Sequence, residues 1–150
     1  MPIEPRLFIK TAMVYLALTF LAGVILAVAE ALQHPLPPVI AIEHGHAGFV
    51  GWLVNVVIGV ALWMFPLDTQ RFPESKGRYP VRAVMAAYLA LNIGLPLRLI
   101  SEPWVQLADN PIASTVLILS ALLQFAAIAI VGYIVWLRIK APARHAPGVR

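Results

Sequence analysis

Apolar residues fall along this chain in four long runs separated by short polar, proline-rich breaks. The runs cover about 11–31, 41–65, 81–100 and 112–137. Each reaches the roughly 20 apolar residues that a helix needs to cross a bilayer. The pattern therefore predicts an all-α, integral membrane four-helix bundle, with residues 1–150 as a single domain. Prolines punctuate it. Pro35, Pro37 and Pro38 stiffen the first connector, Pro66 ends the second run, and Pro80 and Pro111 open the third and fourth. Pro96 lies inside the third run, where a kink or an early end is expected.

Composition agrees. Of 150 residues, 61% are hydrophobic and only 12% charged, too few charges to cover a soluble domain. The first run is too long for a signal-peptide core, and three similar runs follow it. There is no cysteine, so disulfides and thiolate metal sites are excluded. The net charge of +4 does not indicate nucleic acid, because the cations flank apolar runs and form no patch interleaved with aromatics.

Those cations predict topology. Arg6 and Lys10 precede the first run. Arg71, Lys76, Arg78 and Arg82 sit between the second and third, and Arg138, Lys140, Arg144 and Arg150 follow the fourth. Of the 11 basic residues only Arg98 falls on the other side, beside Glu30, Glu43, Glu102 and Asp109. Both termini are expected in the cytoplasm, in a cytoplasmic (inner) membrane. Trp63, Tyr133 and Trp136 suit the inner interface and Trp104 the outer one.

Ionisable groups at membrane depth are rare and carry function. His44 and His46 lie at the outer end of the second run. Imidazole is a common ligand for haem iron, copper and zinc. At about 100° per residue, two such rings point about 200° apart. One metal cannot take both from a regular helix, but each can serve its own flank. The plainer reading is a pair of solvated interfacial histidines. His44, Gly48, Gly51 and Asn55 share one helical face. The glycines leave a groove that a flat macrocycle could enter, or that a neighbouring helix could fill. Arg98 reaches the depth of the histidines. It suits either a carboxylate such as a haem propionate or a local partner, Glu102 or Glu43. Asn92 and Gln124 read as interhelical hydrogen bonders; His34 and His145 carry no signal. No nucleophile–histidine–acid set, phosphate loop or paired-carboxylate site is present.

The segment Glu43-His44-Gly45-His46-Ala47-Gly48, running on to Trp63-Met64-Phe65-Pro66, resembles the tenth helix of the haem–copper oxidase and nitric oxide reductase catalytic subunits. Gly94-Leu95-Pro96-Leu97-Arg98-Leu99 is similar to the same family's eleventh-helix segment, in which two arginines hold haem propionates. Arg98 matches the second of these, and Leu97 departs from the first. The likeness covers about 41–104. It implies haem b as cofactor, with copper the weaker candidate. It also implies iron-binding roles for His44 and His46, with Gly48, Gly51, Asn55 and Arg98 around the cofactor.

The family's subunit has twelve helices, and its remaining ligands come from helices this chain lacks. The chain corresponds to one four-helix repeat of that ring, its ninth to twelfth helices. A homo-oligomer is therefore implied, a trimer favoured over a dimer, in which His46 of one copy and His44 of the next complete a pocket toward the outer face. The expected function is a haem-binding cytochrome that transfers electrons with a redox partner, or binds haem or a gas. The alternative is a non-redox accessory protein that holds copper or zinc.

Overall fold

The computed structural model describes residues 1–108 and 110–139. Asp109, Lys140, Arg144, His145 and Arg150 lie outside the described residues. Four helices are long and apolar enough to cross a membrane: α1 (Ile3–Ala31), α2 (Pro38–Met64), α3 (Val81–Leu107) and α4 (Pro111–Arg138). No strand occurs among the described residues. Large apolar side chains such as Phe20, Phe49, Ile93 and Phe125 are exposed, as expected of a surface whose solvent is lipid.

The helices outrun the apolar stretches that foretell them. The first begins at Ile3 rather than near residue 11, with Glu4 in its first turn and Pro5 just after. Both suit that place, because first-turn amides have no helical acceptor and the helix dipole favours an acid there. Pro38 and Pro111 occupy first-turn positions of α2 and α4, and Asn110 accepts from the amide of Ile112 at 2.9 Å.

The expected early end at Pro96 does not occur. The third helix continues through Pro96 and Pro103 to Leu107. Proline is tolerated in spanning helices that pack against neighbours. The extra turns carry Glu102 to the same end as the histidines.

In α2, the stretch Ala47–Val54 is wound as a π-helix between two α-helical stretches. The Asn55 side chain braces it, donating to the carbonyls of Gly51 at 2.9 Å and Val50 at 3.2 Å. Such wide turns recur beside functional residues, and this one begins directly after His46.

The helices α3 and α4 pack extensively on each other, and α1 packs along α2. The continuous apolar core, including Phe8, Ile58, Leu62, Leu91 and Val131, lies in the half of the bundle away from the histidines. That half is closed by a polar knot. Arg138, fully buried, donates to the carbonyls of Leu62 at 3.0 Å and Pro66 at 3.2 Å and also to that of Phe65. The Leu62 carbonyl belongs to the last turn of α2, and those of Phe65 and Pro66 follow directly after it, where the chain has left the helix and offers no helical donor. The guanidinium also lies 5.6 Å from the Tyr79 ring centre, and the Tyr79 hydroxyl donates to Glu4 at 3.2 Å. Burial, and then the nearby Glu4 charge, push the Tyr79 hydroxyl above the usual phenol range, so it remains a neutral donor at physiological pH. One cluster thus joins the start of α1, the end of α2, the loop before α3 and the end of α4.

Arg138→Ala is expected to cost about 3 kcal/mol, because three carbonyls lose a charged donor. Arg138→Lys should recover only part, since one ammonium cannot reproduce the planar fork. Thermal unfolding in detergent measures both; three equal melting temperatures would show that the carbonyls are satisfied without Arg138.

Candidate functional site

The histidine end is organised by α2. The two imidazoles leave this helix on different flanks. His44 turns toward α1, where Gly23 makes room for it: a methyl group added at Gly23 would lie 3.3 Å from the ring. His46 turns toward α3. Its Nδ1 lies 3.4 Å from Glu43 Oε1 and 3.8 Å from Glu102 Oε2. Its Nε2 makes no hydrogen bond among the described residues. The divergence follows from the two-residue spacing on a helical stretch that is still α-wound at both positions.

Arg98 donates from Nε to Glu102 at 2.8 Å. The two are one turn apart because α3 runs on past Pro96. The terminal amino groups of Arg98 make no hydrogen bond among the described residues and remain available to a second anion. Glu43, Glu102 and His46 offer ligand atoms that all lie within 4.8 Å of one another. Glu43 is 7% exposed, and its Oε2 has no hydrogen-bond partner among the described residues.

The glycine stripe is used differently from the macrocycle expectation. A methyl group at Gly48 would meet Thr19 at 3.1 Å, and one at Gly51 would meet the Tyr15 ring at 2.5 Å. The groove below His44 is therefore filled by α1. Asn55 is fully buried, and its Oδ1 accepts from Asn92 at 3.1 Å, which ties α2 to α3. Gly48, Gly51 and Asn55 thus hold neighbouring helices in this fold. Asn92 is an interhelical hydrogen bonder as expected, whereas Gln124 donates to Ser120 of its own helix at 3.3 Å.

An open groove of about 380 Å³ lies elsewhere, between α2 and α4, lined by Phe49, Leu53, Val57, Ile128 and Gly132 among others. Phe49, Leu53 and Val57 follow His46 in α2, but the π-wound stretch Ala47–Val54 lies between, and the groove faces α4 whereas His46 faces α3. The groove lining is almost wholly apolar. Gly132 keeps it wide, since a methyl group there would meet nothing within 4 Å.

Buried side-chain atoms without partners concentrate here. Among the described residues, Thr19 Oγ1, Glu43 Oε2, His44 Nδ1, Asn92 Oδ1 and Ser101 Oγ are buried without a hydrogen-bond partner, and all but Asn92, near mid-bundle, lie toward the histidine end. Each such atom costs about 1–3 kcal/mol in a low-dielectric interior. In the sequence Glu43 and Glu102 stand out as acids beside Arg98, not as companions of His46. The three-residue spacing of Glu43 and His46 was the available signal for more.

No family model, curated protein or solved structure matches the chain.

Gly51→Ala is expected to lower stability by about 1–3 kcal/mol through its clash with Tyr15. Gly45→Ala, where nothing lies within 4 Å of the new methyl, should be neutral or stabilising by up to about 1 kcal/mol. Detergent-unfolding curves check the pair; equal effects would mean that α1 does not seat on Gly51.

Proposed function

We propose that the protein is a haem b-binding membrane cytochrome, with His46 as an iron ligand and electron transfer as its role. The observation that carries this reading is the state of His46. Its Nδ1 is turned toward Glu43, and its Nε2 is unengaged among the described residues. An axial histidine commonly has its second nitrogen oriented by a carboxylate, which fixes the ring and raises its basicity. The free terminal amino groups of Arg98 suit a propionate. The divergent direction of His44 and the oxidase-like His-x-His and Gly-x-Pro-x-Arg segments point the same way. The bound group would supply one-electron chemistry. The chain's residues would hold the iron, orient the ring and keep the macrocycle dry.

One chain does not complete the site. His44 leaves on the other flank, and the groove between α2 and α4 is open on one side. A cyclic trimer, favoured over a dimer, would bring the neighbouring copy's histidine to each pocket and close the groove with one repeated interface. Two imidazoles on one iron leave no open position, which favours electron transfer over gas binding. The distribution of lysine and arginine supports an orientation with the histidine end at the outer face of the cytoplasmic membrane.

A second reading is favoured by one observation, the convergence of Glu43, His46 and Glu102. This set could hold a divalent cation such as zinc or copper. The Arg98 guanidinium on Glu102 opposes a cation there, and for that reason the haem reading stands first.

His46→Ala should abolish the Soret band of the purified protein, and Arg98→Ala should weaken haem retention without abolishing it. His44→Ala should leave a five-coordinate haem that shifts its spectrum with carbon monoxide. Spectra unchanged in both histidine variants would eliminate the assignment. Chelator-removable metal in a colourless protein would favour the second reading.

A further inference from the structure

The opposite end of the molecule carries a second concavity, unrelated to the histidines. A hollow of about 720 Å³ opens between the loop after α2 and the start of α3, lined by Arg71, Phe72, Tyr79, Pro80, Val81 and Arg82 among others. A neighbouring hollow of about 480 Å³ adds Lys76 and Arg78, with Glu4. Val81 is the first residue of a spanning helix, so the hollow sits where headgroups meet acyl chains. Its wall is mixed to match, with two guanidiniums beside Phe72, Pro80 and an exposed Val81.

The two arginines differ in how they are held. Arg71 is anchored, its Nη1 donating to the Leu137 carbonyl at the end of α4 at 2.9 Å. Arg82 is exposed and makes no hydrogen bond or ion pair among the described residues. Glu74 lines the same hollow, leaving it one net positive charge, with Lys76 and Arg78 close by. Two arginines in one wall with apolar surface beside them suit a phosphate joined to a hydrocarbon chain.

We propose that this hollow binds the phosphate of an anionic membrane lipid, with Arg71 and Arg82 contacting the phosphate oxygens and the acyl chain leaving past Val81. The site is independent of the haem reading and stands or falls separately from it.

The test uses the full-length protein in detergent, titrated with phosphatidylglycerol, phosphatidylcholine or inorganic phosphate and read by native mass spectrometry. Phosphatidylglycerol is expected to bind tightest. Arg82→Ala should weaken it several-fold and the Arg71→Ala/Arg82→Ala pair by about tenfold, while Glu74→Gln should tighten it. Arg82→Ala leaves the Arg71–Leu137 tie intact, so the comparison remains decisive if the double variant fails to fold. Equal binding of the two lipids, or an unchanged Arg82→Ala, would overturn the proposal. Displacement of phosphatidylglycerol by millimolar inorganic phosphate would assign the site to a soluble phosphate and overturn its lipid part.

Discussion

At membrane depth a polar group finds its partner inside the protein or goes without, because lipid offers none. Apolar burial does little to hold spanning helices together, since lipid tails are as apolar as leucine. The arrangement of this bundle therefore depends on a few polar ties and close glycine contacts. Arg138 closes the end of α2 and joins it to α4. Asn55 and Asn92 join α2 to α3 at mid-depth. Gly48 and Gly51 let α1 lie against α2.

These ties leave the histidine end unfinished. The apolar core occupies the other half of the bundle, and the unpartnered polar atoms occupy this one. Apolar packing and unpartnered polar groups are thus separated along the bundle axis. The π-wound turn makes the boundary between them. It begins after His46, and its far end is braced by Asn55, which is itself fixed by Asn92. The direction of His46 is in this way coupled to a buried amide pair roughly two turns below it. The same logic explains why α2 and α4 can leave a groove between them: α2 is already held by α1, α3 and the Arg138 knot.

Much of this was legible in the residues, and the limits have physical causes. The four spans follow from run length alone. The starts of the third and fourth did too, but those of the first two did not, because Glu4, Pro5 and Pro38 break an apolar count while suiting a helical first turn. The missing amide of Pro96 suggests a kink or an early end, yet the helix, packed along α4, continues through it to Leu107. The common face of His44, Gly48, Gly51 and Asn55 was visible in the spacing. Its occupant was not, since a groove for a macrocycle and a groove for Tyr15 use the same glycines. Arg138 counted only as one more cation for topology. Nothing local distinguishes an arginine at a headgroup from one folded back on the carbonyls before Pro66, 72 residues away. The π-helix has no sequence signature that the pattern of apolar residues could reveal.

The central claim is that the imidazoles at this unfinished end bind haem iron. Its most direct test is electron paramagnetic resonance of the oxidised wild-type protein, purified without added haem, alongside its haem and iron content. The account predicts haem b with a low-spin ferric signal of the kind two axial imidazoles give. A protein containing neither haem nor iron, after expression with haem in ample supply, would contradict it.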